Sequence, residues 1–168
     1  MESIRWSYKD KVKDFLRPGA RVLDMGHGSE EMLLCLLEPT SGLERVAEPV
    51  GSWEQRLAAM GVTVYRGEPG KLGKPMPFED ASFDLVLNHH EGYELAEVAR
   101  LLKKSGFFIT QQVGGKDSQR PGAPDFNLEN ELPKFKRAGF RIMYRSQSYY
   151  KTEGDIITHR FIIIGKKT

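Results

Sequence analysis

The residues best suited to chemistry lie where an apolar run stops. Val22-Leu23-Asp24-Met25 ends abruptly in Gly26-His27-Gly28-Ser29. Glycines at such a turn let backbone approach a ligand closely and adopt positive φ. A dinucleotide-type fingerprint needs a small residue at position 31, which is Glu31. Glu30 and Glu31 occupy the first turn of the following helix, where they suit the helix dipole but would repel a pyrophosphate. A P-loop is excluded because no Gly-Lys-Ser/Thr stands at the required spacing. The turn therefore favours a nucleoside ligand without phosphate, preferably one carrying positive charge. Glu48, followed by Pro49, lies about 20 residues past the glycines, the spacing expected for a ribose-binding acid. A carboxylate there can accept both ribose hydroxyls; the alternative is an ordinary solvent-facing glutamate.

A second cluster, Asn88-His89-His90-Glu91-Gly92-Tyr93, follows the apolar run 83–87. Histidine takes a proton near neutral pH, which makes His89 and His90 candidate general bases. Neighbours on an extended chain point to opposite faces, so at most one of them is expected to face a pocket. The residues themselves favour the plainer alternative, in which both cap the strand and face solvent. Glu91 is better read as an acid in the first turn of the next helix. His27, His89, His90 and His159 offer no ligand pair on one helix face, so no metal site is expected. Cys35 sits inside the apolar run MLLCLLE and reads as a core residue.

These residues need a scaffold, and the patterning describes one. Tyr8, Val12 and Phe15 mark a short amphipathic helix over residues 7–16, ended by Arg17-Pro18-Gly19. Strands are predicted at residues 20–25, 43–49, 62–65, 83–88 and 107–113. Helices are predicted from Glu30 through MLLCLLE, from Ser52 (a capping-box serine) to Met60, and from Leu95 to Lys104. Leu128, Leu132 and Phe135 recur at helical spacing, but Pro133 requires that helix to be kinked or to start later. Residues 114–125, rich in Gly and Pro, read as a loop, and 140–150 with 156–164 as a closing hairpin. Alternating strands and helices followed by an antiparallel pair describe a parallel α/β sheet with a hairpin at its end.

With 168 residues the chain suits a single domain and leaves no room for a separate substrate module beside one α/β core. No stretch is long and apolar enough to span a membrane, and the opening MESIRWSYKDKVKDF lacks the apolar region of a secretory signal. A cytoplasmic location is therefore expected. A lone cysteine excludes an intramolecular disulfide. Net charge is +2, from 25 basic and 23 acidic residues, which is too balanced to imply nucleic-acid binding. Lys134, Lys136, Arg137, Arg141 and Arg145 give the C-terminal third a basic cast. Alternation puts Arg141 and Arg145 opposite Phe140, Ile142 and Tyr144, favouring a solvated, edge-protecting face over an RNA-binding stripe.

Three motifs make the chain resemble the class I S-adenosylmethionine-dependent methyltransferases. Val22 to Glu30 is similar to that family's V-L-D-x-G-x-G-x-G-x. The stretch Met76-Pro77-Phe78-Glu79-Asp80-Ala81-Ser82-Phe83-Asp84-Leu85-Val86 is similar to L-P-F-x-D-x-S-F-D-x-V and is the most specific of the three. Glu97 to Gly106 is similar to E-x-x-R-V-L-K-P-G-G. The resemblance implies one methyltransferase-like domain over residues 1–168, with its core at 18–165. It also implies a Rossmann-like, seven-stranded, mostly parallel sheet of order 3-2-1-4-5-7-6, last strand antiparallel, with helices on both faces. Asp24, Gly26 and Gly28 match the motif supporting the amino-acid end of S-adenosylmethionine, Glu48 the ribose acid, and Glu68 the acid at the adenine amino group. Asn88 ends the fourth strand, which faces the methionine moiety. Ser29 stands in place of the third glycine, and His27 lies inside the turn beside the cofactor's carboxylate. The implied activity is methyl transfer to a small-molecule acceptor, leaving S-adenosylhomocysteine, by a monomer or homodimer. Two alternatives stay open: a catalytically weak or inactive cofactor-binding module, and an RNA methyltransferase.

Overall fold

A computed structural model describes residues 4–17, 19–25, 75–114, 127–151 and 157–168. The chain divides into two compact units, one of Met1–Gly26 with Pro69–Thr168 and one of His27–Glu68. All the described residues belong to the first. The expected glycine turn, the strands at 43–49 and 62–65 and the two helices beside them lie outside the described residues.

Helix α1, Tyr8–Phe15, starts where Ser7 Oγ accepts the Asp10 N–H at 3.2 Å and stops at Leu16, which turns extended. It buries Tyr8 and Val12, while Phe15 packs on Phe107 at 4.9 Å between ring centroids. Strands β1 (Val22–Asp24), β2 (Phe83–His89) and β3 (Leu102–Gly114) run parallel, joined in part by helix α2, Leu95–Leu101. Helix α3, Leu128–Arg137, leads into the antiparallel pair β4 (Phe140–Lys151) and β5 (Ile157–Lys167). The sheet order is β1-β2-β3-β5-β4, with β5 antiparallel to both of its neighbours.

The seven-stranded sheet expected from sequence is therefore a mixed sheet of five strands among the described residues. Their order does place the last strand, antiparallel, between β3 and β4. Helices cover both faces. Phe107 meets α1, while the next residue, Phe108, stacks on Phe135 of α3 at 5.7 Å, as alternation along a strand requires. The main core lies on the α2 and α3 side and includes Val86, Val98, Leu101, Phe108, Phe135, Phe140, Phe161 and Ile163. Gly165 lets α3 approach the sheet closely: a Cβ there would stand 3.0 Å from the Phe135 ring and 3.2 Å from Phe140.

One sequence expectation needs correction, and of the two courses open to the helix at Pro133 the later start is removed. The helix from Leu95 ends at Leu101 rather than Lys104, because Leu102 already pairs with Phe83 of β2 and the chain then bulges through Ser105 at φ 67°. Gly106 closes that bulge against backbone, its missing Cβ lying 3.0 Å from the carbonyl oxygens of Asp84 and Lys103. Helix α3 begins at Leu128, capped by Asn127 Oδ1 accepting Glu129 N–H at 2.8 Å, so Pro133 lies inside it. The Glu129 carbonyl consequently lacks its usual donor four residues on.

The Met76–Val86 and Glu97–Gly106 motifs meet in space. Glu97 and Arg100 of α2 grip the turn before β2. Arg100 donates to the carbonyls of Phe78 (2.8 Å) and Met76 (3.1 Å) and to the Asp80 carboxylate (2.6 Å). Glu97 accepts the Met76 N–H at 2.7 Å. The turn is thereby delivered to Phe83 in register with β3.

Candidate functional site

Open α/β sheets hold ligands at the carboxyl ends of their parallel strands. At that end β1 finishes in half-buried Asp24, followed by buried Met25, whose N–H donates to the Leu87 carbonyl at 2.8 Å. β2 finishes in Asn88 and His89, which pair with Thr110 and Gln111 of β3, and Gln112 follows them. Polar residues at the end of buried strands need partners, and these find them in two networks on opposite faces of the sheet.

On the α2 and α3 face, Asn88 is fully enclosed. Its Oδ1 accepts from Gln112 Nε2 at 2.7 Å and from the Thr110 hydroxyl at 3.3 Å, while its Nδ2 donates at 3.5 Å to the Gly92 carbonyl. Gln112 Nε2 also reaches the Glu91 carbonyl at 2.9 Å. This network holds the turn 88–92 against β3.

On the α1 face, the Trp6 indole N–H donates to Gln111 Oε1 at 2.7 Å. Gln111 Nε2 lies 3.0 Å from His89 Nε2 and 3.3 Å from His90 Nε2. The Tyr8 hydroxyl donates to the Asn88 carbonyl at 3.3 Å, and its ring lies 4.8 Å from His89. Burial first, and then the charge of Asp24, hold the Tyr8 hydroxyl well above its ordinary pKa. Tyr8 is thus a neutral phenol. Burial, followed by the nearby Arg160 charge, pushes the His89 imidazole below its ordinary value, so it is neutral at physiological pH.

The alternation behind the expectation that at most one histidine faces a pocket does not hold at this turn. His90 adopts φ 64°, which breaks the alternation of the extended chain and returns its ring to 4.1 Å from that of His89. The His90 N–H is held there by the Gln111 carbonyl at 2.9 Å. Both residues are half-buried. Gly26, His27, Gly28, Glu48, Pro49 and Glu68 lie outside the described residues. Trp6, Gln111 and Gln112 are site residues that the sequence reading missed. Their signal was the run Thr110-Gln111-Gln112 in an otherwise apolar strand.

Farther along the same end, His159 stacks on Tyr149 at 4.3 Å and lies 3.2 Å from Gln147 Oε1. The described residues hold no group of three metal-ligating side chains, and no helix among them is long and apolar enough to cross a membrane. An open groove of about 710 Å³, lined by Lys136 and residues 140–145, runs along β4 toward the opposite end of the sheet. It is remote from the histidines.

No protein-family model and no curated protein matches the chain. Solved structures do. The cyclase SpnF is similar at a TM-score of 0.67 and 16% identity, over 95% of this chain and 79% of that one. A S-adenosylmethionine-dependent methyltransferase from Methanosarcina mazei gives 0.57 and 16%, over 94% and 96%. The 1,6-didemethyltoxoflavin-N1-methyltransferase of Burkholderia thailandensis, solved with 1,6-didemethyltoxoflavin and S-adenosylhomocysteine bound, gives 0.58 and 20%, over 96% and 79%. At these identities the likeness shows the fold, which is that of the class I S-adenosylmethionine-dependent methyltransferases.

Proposed function

We propose that this chain, built on the class I methyltransferase fold, binds S-adenosylmethionine and transfers its methyl group to a small-molecule acceptor. The observation that carries the reading is the pair of buried polar networks at the carboxyl ends of β2 and β3, beside Asp24, where a sheet of this topology takes its ligand.

The described residues fit the cofactor's charge. Asp24 supplies a half-buried carboxylate at the tip of β1, suited to a ligand carrying ammonium and sulfonium groups. Gly26, His27 and Gly28 form the turn against the amino-acid end, Glu48 and Pro49 the ribose contact, and Glu68 the adenine edge. Asn88 contributes by fixing the turn 88–92, since its carboxamide is already engaged by Gln112 and Thr110. The bound sulfonium supplies a methyl already activated toward in-line displacement, so the protein's task is to align the acceptor and exclude water. The didemethyltoxoflavin methyltransferase, solved with 1,6-didemethyltoxoflavin bound, supports a small-molecule acceptor. SpnF, a cyclase of similar fold, favours a second reading in which the chain does not transfer a methyl group.

The test separates the two. Glu48→Ala is expected to weaken S-adenosylmethionine binding at least tenfold while leaving the unfolding transition unchanged; unchanged affinity removes the ribose assignment. Incubation of the wild-type chain with methyl-labelled cofactor and a panel of small oxygen, nitrogen and sulfur nucleophiles is expected to label at least one. Cofactor binding with no labelled product would favour the non-catalytic reading.

A further inference from the structure

The Trp6–Gln111–His89/His90 cluster determines where the imidazole protons are. An indole N–H can only donate, so the Gln111 atom 2.7 Å away must be the carboxamide oxygen. The amide therefore turns its NH2 toward both histidines, at 3.0 and 3.3 Å. A donor facing Nε2 requires a lone pair there, which leaves each neutral ring carrying its proton on Nδ1. The two hydrogens of one NH2 group match the two acceptors.

We infer that Gln111, oriented by Trp6, is a positioning residue that holds His89 and His90 together in the Nδ1–H form, and that docking of the segment before α1 depends on that form. The inference stands apart from the methyl-transfer reading, because it uses no ligand. It does sharpen the chemistry of the site. In this arrangement neither histidine offers a free Nε2 lone pair to an incoming acceptor, so neither acts as a general base through that atom unless Gln111 moves. The pair instead forms a fixed wall at the end of β2.

The dependence runs both ways. Adding a proton to either Nε2 sets an N–H donor against the Gln111 NH2, and the amide can relieve the clash by turning over or withdrawing. Turning over would then set its NH2 against the Trp6 indole N–H, so the contact that ties residue 6 to β3 is lost in both cases. Among the described residues, the other titratable or charged groups facing His89 are Tyr8 on α1, a neutral phenol, and Arg160 on β5, whose charge opposes protonation. The folded state thus binds fewer protons at His89 than the unfolded chain. The cluster's contribution to stability is complete above His89's ordinary value of 6.5 and is lost as pH falls below it.

The test is 15N-detected NMR of the full chain's histidine rings at pH 7.5, with Gln111→Glu beside it. In the wild type, His89 and His90 are expected to show protonated Nδ1 and unprotonated Nε2. As pH is lowered, the Trp6 indole N–H resonance is expected to move toward the free-indole position with the midpoint of His89. Gln111→Glu keeps an acceptor for Trp6 but replaces the donor facing the rings by a carboxylate. It should move the His89 proton to Nε2 and raise its titration midpoint by at least one pH unit, a tenfold change in proton affinity. Nε2–H rings in the wild type would overturn the inference, whatever the variant does. So would a Gln111→Glu chain that folds with the His89 tautomer and midpoint unchanged.

Discussion

Arg100 and Glu97, one turn apart on α2, are joined through two contacts: Arg100 Nε donates to one carboxylate oxygen at 2.8 Å and Nη2 to the other at 2.6 Å. The pair does not face the ligand end of the sheet. It holds the turn from Met76 to Asp80, which sets where β2 begins and so where Asn88 and His89 end. A motif that reads in sequence as a family mark is, in the fold, a clamp on strand register.

Arg100→Met keeps the aliphatic stem and removes the clamp. Glu97 loses its charged partner, and the Met76 and Phe78 carbonyls lose their donor. Charge-assisted hydrogen bonds of this kind contribute about 1.5–3 kcal/mol each, but these acceptors are part-exposed and water replaces some of the loss. Destabilisation of about 2 kcal/mol is expected by urea unfolding. A change under about 0.5 kcal/mol would show that the turn holds without it.

Acid should unfold the chain in two stages. His89, pushed below its ordinary value by burial and then Arg160, begins the loss as pH falls below 6.5. Glu97 is held below its ordinary value of 4.5, chiefly by its hydrogen bond from Arg100, and Asp84 below 3.8, chiefly by the Arg21 N–H at 2.8 Å. For these carboxylates the folded state releases its protons more readily than the unfolded chain. Their stabilisation is therefore present above those ordinary values and disappears as pH drops through the lowered ones. Urea midpoints measured from pH 8 to pH 3 should show both declines. Arg100→Met should flatten the lower one and spare the upper; an unaltered lower slope would contradict the Glu97 assignment.

Gly165→Ala tests the closeness of α3 to the sheet. The added methyl would meet the Phe135 ring at 3.0 Å and Phe140 at 3.2 Å, and both rings are buried. Forcing them apart should cost about 1–3 kcal/mol by thermal or urea unfolding. Retention of full stability would mean that the ring of Phe135 has room to retreat.

The scaffold was more legible than the site, for physical reasons visible in single residues. β2, β3 and the closing hairpin announce themselves through apolar runs such as Phe107–Ile109 and Phe161–Ile164, because a strand buried on both faces cannot be polar. The end of α2 was read three residues long because Lys103 and Lys104 continue a helical composition, and nothing local reveals that Leu102 pairs with Phe83. The histidines were separated by an alternation rule that holds only for extended backbone, and His90 at φ 64° does not obey it. Trp6 and Gln111 stand 105 positions apart, so the bond that organises the cluster is written in the fold and in no local pattern.

The central claim is that this fold holds S-adenosylmethionine at the carboxyl ends of its parallel strands, and isothermal titration calorimetry of the wild-type chain tests it most directly. The account predicts saturable, one-to-one binding of both S-adenosylmethionine and S-adenosylhomocysteine, weakened at least tenfold by Glu48→Ala. No heat of binding from either ligand at millimolar concentration would contradict it.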